Sequence, residues 1–376
     1  MDGKFTFTWN DDVLMELLLW LPAISLVRFK LVCKHWLSII SSHHFCLLHT
    51  LRHHKPQPSF IFHPHTISPS QFFYFHPLSS ERLVPYHFTV PIPNTKILSS
   101  CNGLLLLESD QPGKSCYIHN PTTKKSRCIN LTVGGTHTDL LGLNLAFDPS
   151  KSPHYKIICI RKAAARQPAP RRQPYSRDGL SCQIEVYDSE IHTWKLSLES
   201  FTAYRETKFS FGVHWGNAIH WDNHPRAHMY FDISKNVIGS LPYAQIPWPP
   251  GGGGGACHCQ LQESNGRLHH FIIVSDRGDK SIAVLELQED YSQWQLKYHD
   301  KFGRLPGKTR TLCFVRGDER EVDTMVYHVP GKMVVYKFID KSSKEVDLTN
   351  EAFYKYDSVL FEPQNIHLFG ESLVPV

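Results

Sequence analysis

The 376-residue chain has no long apolar run. Its most apolar early charge-free stretch, Leu17 to Val27, spans eleven residues and contains Pro22, well short of the roughly 20 residues a bilayer requires. The opening MDGKFTFTWNDD carries acids at positions 2, 11 and 12 and no apolar segment ending in small residues, so no secretory signal is expected. A charge excess is lacking too: 40 Lys and Arg against 35 Asp and Glu leave a net charge of +5, too little over 43.3 kDa for the basic footprint that nucleic acid selects. No nucleic-acid partner and no membrane partner are therefore expected. The ten cysteines are scattered, several within apolar strand patterns where a thiol behaves as a small hydrophobe. That predicts a reducing compartment, cytoplasmic and/or nuclear, in which the Asn130-Leu131-Thr132 sequon has no consequence.

Catalytic motifs are missing as well. The pentaglycine at 251–255 is followed by no Gly-Lys-Ser/Thr and sits in no strand-to-helix context, so it is not a phosphate loop. No Gly-x-Ser-x-Gly and no His-Glu-x-x-His occurs. Among 24 histidines, Cys257-His258-Cys259 and the i, i+4 pair His49 and His53 invite a metal reading. Zinc sites draw four ligands, usually from paired Cys-x2-Cys knuckles, and no second pair is present. No metal, no cofactor and no catalytic residue is expected, and His43, His44, His49, His53 and His54 read as a polar connector.

What is present is a folded-protein composition, 41% hydrophobic and 20% charged. Asp11 and Asp12 are good helix caps, and Leu14, Leu17, Leu18 and Leu21 follow at i, i+3, i+4 and i+7. This first helix ends at Pro22. Ser25 can cap a second carrying Leu26, Val27 and Phe29, and a third runs from about Val32 through Trp36, Leu37, Ile39 and Ile40 to Ser41-Ser42. Three helices in about 40 residues cannot bury so much apolar surface internally. Another surface must cover it.

Leu21-Pro22, Leu26, Arg28-Phe29-Lys30, Val32-Cys33-Lys34-His35-Trp36 and Ile39-Ile40 resemble the F-box, an apolar helix ending in Leu-Pro followed by Val-Cys-Lys-x-Trp. The match runs over about residues 9 to 48. Where the family usually opens with Leu-Pro before its acidic pair, Trp9-Asn10 stand here, Trp9 supplying the apolar anchor. The resemblance implies that the missing cover is a Skp-type adaptor and, through it, cullin.

From about residue 95 the pattern changes to alternating strands. Five segments, 115–131, 182–198, 227–242, 281–298 and 332–348, each read strand, polar turn, strand, at the spacing of repeated β-blades; a large β-sandwich is the alternative. Ser100 to Leu107 (SCNGLLLL), His119 to Lys125 (HNPTTKK), Leu143 to Arg161 and Phe211 to Trp221 are similar to the F-box-associated, kelch-like domain of plant F-box proteins. Asn102-Gly103, Asn120-Pro121 and Asp148-Pro149-Ser150 are turn formers that need no ligand. Two inserts interrupt the strands: 163–179, rich in Pro, Ala and Arg, with Arg161, Lys162, Arg166, Arg171, Arg172 and Arg177 in and beside it, and the Pro/Gly run 246–258. Both are expected to be mobile loops.

The expected architecture is α+β by segment: a three-helix F-box at 1–48, a connector with first strands at 49–94, and a propeller-like all-β domain of about six or seven blades at 95–376. The implied function is that of a non-catalytic substrate-recognition subunit of a Skp–cullin–F-box ubiquitin ligase. A β-propeller enzyme or carbohydrate-binding protein with a helical extension is the alternative. Candidate adaptor contacts are Leu17, Leu21, Pro22, Leu26, Val27, Val32 and Trp36, some of which must serve the internal core. Candidate contacts to an unidentified target protein lie on loops, His214, Trp215, His220, Trp221, Trp248, Arg304 and Arg310, whereas the strand aromatics Tyr187, Trp194, Tyr230, Trp294 and Tyr336 are expected between sheets.

Overall fold

The computed structural model describes residues 11–53, 59–62, 71–75, 86–89, 95–109, 115–131, 139–163, 179–223, 228–244, 255–276, 279–305, 310–317, 322–329, 332–347 and 366–376. Helices come first: α1 (Asp11–Leu18), α2 (Ala23–Phe29), α3 (Lys34–Ser41) and α4 (His43–Arg52). The expectation of three is corrected to four. Ser42, read as a stop, is also a start: it ends α3 in an extended conformation, and its Oγ accepts from the Phe45 N–H at 3.2 Å, which caps α4. The expected polar connector is thus a helix. His49 and His53 bond through Nε2 to the carbonyls of Leu21 and Leu19, each at 2.9 Å, taking up oxygens that the end of α1 leaves without helical partners. Their i, i+4 spacing aligns both rings against α1.

The rest is a β-propeller of four-stranded antiparallel sheets. Five are made of consecutive strands. Blade I holds Thr95–Cys101, Leu104–Ser109, Ser115–Asn120 and Lys125–Asn130; blade II Leu140–Ala146, Lys156–Lys162, Leu180–Asp188 and Thr193–Ala203; blade III Val213–Trp215, Ala218–Trp221, Met229–Asp232 and Val237–Ser240. Blade IV holds Gly255–Ser264, Arg267–Asp276, Asp279–Leu287 and Trp294–Gly303, and blade V Arg310–Val315, Thr324–Val329, Lys332–Lys337 and Ser343–Asp347. A closing sheet joins Ser59–Phe62, Gln71–Phe75 and Tyr86–Thr89 to the late strand Ile366–Phe369, paired Ser59 to Phe369 and Phe62 to Ile366. The expectation of six or seven blades is corrected to five blades of consecutive strands, with a four-stranded closing sheet drawn from both ends of the chain. Closing the ring with strands from both ends of the chain removes the open edges that a sheet otherwise presents.

The five repeated segments are the third and fourth strands of blades I to V. Their turns share a device. Asn120, Asp188, Asp232, Asp290 and Asp340 each accept through Oδ1 from a backbone N–H two residues on, at 2.9 to 3.0 Å, a local turn that needs nothing beyond the loop itself. Left-handed residues accompany it: Lys124, His192 and Asn236 stand directly before the fourth strand at φ of 58°, 55° and 56°.

Alternation along each strand places the cores between blades. In Arg267–Asp276, Leu268, Ile272 and Val274 pack toward blade III and Phe271 and Ile273 toward blade V. Single polar clasps cross the interfaces. Trp194 Nε1 donates to Asn130 O at 3.0 Å, Trp215 Nε1 to Gly266 O at 2.9 Å, and Gln262 exchanges two bonds with the Phe314 backbone at 2.8 and 3.1 Å. Arg161, expected beside a basic loop, is buried in blade II instead: its Nε meets Glu185 at 3.0 Å and its guanidinium donates to Leu131 O at 2.7 Å. The loop proper, 164–178, lies outside the described residues, as do 245–254.

Segment 370–376 joins the two units. It runs extended, so consecutive side chains face opposite ways: Leu373 enters the core of the four helices, and Val374 enters the core between blades I and II. The HNPTTKK motif holds it. Asn120, fully buried, donates through Nδ2 to the carbonyls of Ser372 and Val374 at 3.0 and 2.9 Å. The SCNGLLLL turn makes room for it, with Asn102 and Gly103 at φ of 45° and 85°, the mirror-image turn that suits a hairpin. A Cβ on Gly103 would stand 2.3 Å from Ser372 Cβ.

Candidate functional site

The helical unit has one small core: Leu14, Leu18, Leu19, Ala23, Leu26, Ile40, Phe45, Cys46 and the donated Leu373. It is too small for the apolar side chains available. Of the fifteen large apolar side chains exposed among the described residues, seven, Val13, Leu17, Trp20, Leu31, Val32, Leu37 and Leu51, fall within 11–53. On α1 the reason is visible: Leu14 and Leu18 face inward, while Val13 and Leu17, also i, i+4, form a second apolar face that is exposed among the described residues.

The structure divides the seven sequence candidates. Leu17 and Val32 are 53% and 59% exposed, and Pro22 is exposed too. Leu21, Val27 and Trp36 are half-buried against the core, and Phe29 meets the Trp36 ring edge-on at 5.4 Å. Leu26 is wholly buried, so it serves the core rather than an outer surface. Trp20 (66% exposed) and Leu31 (88%) were missed. A signal existed, since α1 and the turn after α2 carry more apolar residues than one helix face can hold. Trp20 is backed by α4, with the Arg52 guanidinium 4.5 Å from its ring centroid and 2.7 Å from Glu16.

On the propeller, several loop candidates turn out to be interior. Trp221 is fully buried and donates through Nε1 to Phe209 O at 3.2 Å; Trp215 is the clasp to Gly266. His220 is fully buried, bonded to the Tyr291 hydroxyl at 2.9 Å and stacked on Tyr230. His214 is half-buried, with Nδ1 3.6 Å from Cys101 Sγ. The physical reason is the short blade III hairpin, Trp215 opposite Ala218, which leaves a two-residue turn where a longer loop was expected. Arg304 is exposed; Trp248 and the Arg310 side chain lie outside the described residues. Of the five strand aromatics, Tyr187, Trp294 and Tyr336 are buried and Trp194 and Tyr230 half-buried, as strand alternation predicts.

Burial governs the titration of these groups. It holds His119 and His214 down at about 4 and His220 at about 3, while in the helical unit it holds His49 at about 4. Burial likewise pushes the Cys101 and Cys159 thiols up to about 12, which leaves them inert. The nine described cysteines are thiols rather than disulfides. Burial alone would raise the Asp222 carboxyl, but hydrogen bonds from His228 and His270 outweigh it and hold the group far below the usual carboxylate range. Asp222, His228 and His270 are the one group among the described residues whose donor atoms all lie within 4.8 Å of one another. Sequence reading did not find it, because positions 222, 228 and 270 form no motif. Of the two sites it did consider, His49 and His53 are accounted for by α1, and the side chains of Cys257 and His258 lie outside the described residues.

Comparison with known proteins settles the family. Residues 9–48 match the F-box domain, and residues 80–245 match the F-box associated beta propeller domain. An F-box protein of Arabidopsis thaliana is 29% identical over 92% of this chain and 89% of its own length. A second Arabidopsis thaliana chain named as an F-box protein is 32% identical over 87% of this chain and 81% of its own, and a third is 32% identical over 82% and 75%. The chain belongs to the F-box proteins. The F-box match thus covers α1 to α3 and the start of α4, which continues to Arg52, and the F-box-associated match covers blades I to III. Solved structures offer only a weak likeness, such as an acylaminoacyl peptidase of Pyrococcus horikoshii at a TM-score of 0.41 and 9% identity, covering 76% of this chain and 49% of that one. No helix among the described residues is long and apolar enough to cross a membrane.

Proposed function

We propose that this chain is the substrate-recognition subunit of a Skp–cullin–F-box ubiquitin ligase, docking a Skp-type adaptor through its F-box unit and a target protein through the propeller. The observation that carries the reading is the uncovered apolar surface of that unit. Leu17, Trp20, Leu31, Val32 and Leu37 are exposed within a unit of about 40 residues, whereas the eight exposed large apolar side chains of the propeller are spread over a far longer stretch of chain, and clustered exposed apolar surface marks an interaction site. Adaptor contact is assigned to Leu17, Pro22 and Val32, with Leu21, Val27 and Trp36 at its margin.

The chain's contribution is proximity. Held beside a conjugating enzyme recruited elsewhere in the complex, a target lysine reacts at high effective concentration, and no group on this chain need touch the transferred ubiquitin. Target contacts are assigned to exposed loops, Arg304 among them. Full-length chain co-expressed with a Skp-type adaptor is expected to co-purify with it, and Leu17→Asp with Val32→Asp to abolish that association while the propeller stays folded. Undiminished adaptor binding by the double variant would sink the assignment.

A further inference from the structure

Asp222 directly follows the second strand of blade III and His228 directly precedes the third. Trp221 pairs with Met229 across that hairpin, so register alone sets Asp222 and His228 side by side at the hairpin's end. His270 arrives from blade IV. It lies in Arg267–Asp276 between Leu268 and Ile272, the positions that face blade III, and its ring meets that of His228 edge-on at 4.4 Å, with Trp294 5.7 Å from each. The adjacent His269 faces the other way, toward Glu286 and Phe314.

Asp222 Oδ1 lies 3.2 Å from His228 Nδ1 and Asp222 Oδ2 3.6 Å from His270 Nε2. Two donors bound at 2.0–2.1 Å to one tetrahedral ion stand roughly 3.3 Å apart, so the spacings suit ligands as well as hydrogen-bond partners. His228 Nδ1 faces both the Asp222 carboxylate and the Asn223 N–H, each at 3.2 Å; its one lone pair serves a single partner, and a cation bound there would take that lone pair in place of the Asn223 N–H. The two histidines are buried, 1% and 0% exposed, and the Asp222 side chain at 22% provides an entry path and leaves a position for water.

We propose that Asp222, His228 and His270 form a divalent transition-metal site that ties the blade III hairpin to blade IV. Two imidazoles and one carboxylate are the donors of zinc and its borderline neighbours, whereas calcium and magnesium take oxygen. The site would thus add a metal clasp to an interface already held by packing, the Trp215 and Trp294 indoles, which donate to Gly266 O and Pro242 O, and the His220 to Tyr291 hydrogen bond.

The test uses full-length, tag-free chain stripped with EDTA and titrated with zinc chloride against a chromophoric chelator, then with cobalt(II). One tightly held equivalent is expected, with a thermal midpoint raised by several degrees. Asp222→Asn, a conservative change at the partly exposed ligand, is expected to weaken zinc at least tenfold, and His228→Gln to remove the equivalent. Cobalt in the unaltered chain is expected to show visible d–d bands without thiolate charge transfer, which distinguishes these ligands from cysteine even if a variant fails to fold. A thiolate band, loss of the equivalent in Cys257→Ser with Cys259→Ser, or equal zinc uptake by the unaltered chain and Asp222→Asn would overturn the proposal.

Discussion

The helical unit and the propeller resolve their apolar segments differently. Each described propeller core is shared by two blades, so both faces of the inner strands find partners. The helices have one core, and completing it takes Leu373 from the far end of the chain. A ring can close on itself, whereas four short helices have more apolar surface than interior. What one unit satisfies by geometry the other must satisfy by association.

The largest effect expected within the propeller comes from its buried charge. Glu185→Ala leaves the Arg161 guanidinium buried beside Leu131 O without its counter-ion, and such a loss costs about 3–5 kcal/mol. Urea unfolding is the measurement. The exposed Arg52 to Glu16 pair in the helices is the contrast, expected to contribute under about 1 kcal/mol. Equal costs for the two would erase the distinction between the units.

Next comes the shared segment. Leu373→Ala is expected to cost roughly 2–5 kcal/mol, the range for a truncated core leucine, and to lower hydrogen-exchange protection in α1 to α4. Val374→Ala is expected to cost less and to act on blades I and II. Gly103→Ala, whose Cβ would meet Ser372, is expected to loosen both units together. If Leu373→Ala and Val374→Ala gave the same exchange map, the two-sided role of the segment would be wrong.

The pH response should separate the units more gently. His119, His214 and His220 in the propeller and His49 in the helices are held neutral down to about 4, 4, 3 and 4. The unfolded chain takes up a proton at each near pH 6.5, so stability is complete above that value and falls as pH drops from 6.5 toward 4. Each histidine contributes about 1.4 kcal/mol per pH unit within that window. The propeller, where burial also holds His269 down, is expected to lose stability more steeply than the helices, read by pulse proteolysis between pH 7 and 5. A helical unit that melts first on acidification would reverse the comparison.

The smallest effect on stability is expected on the outer helical face. Leu17→Asp or Val32→Asp alone should change unfolding by no more than about 0.5 kcal/mol, as exposed positions generally do. Adaptor affinity is expected to drop at least tenfold for each. A large stability loss would mean that the face is already covered within the chain.

Much of this was legible from local pattern. Period-two alternation located the third and fourth strands of all five consecutive-strand blades, and Asn102-Gly103, Asn120 and Asp188 marked turns because their side chains or backbone freedom close a loop without distant help. Helix spacing found α1 to α3. It missed α4, where one serine serves two helices and histidines look polar until they meet the carbonyls of α1. Leu17 and Leu26 were indistinguishable as candidates, since both are leucines on a short helix, and only packing showed which faces inward.

Residue type and spacing thus determined the strands, the turns and the two-part order of the chain, each being a property of a few neighbouring residues. Tertiary structure alone decided which faces meet. Asn120 holds Ser372 across 252 positions, Arg161 is drawn from an apparent loop to Glu185, and Asp222, His228 and His270 converge from two blades. Those contacts exist because ring closure fixes where each strand's faces end up, and nothing local to any of these residues encodes that.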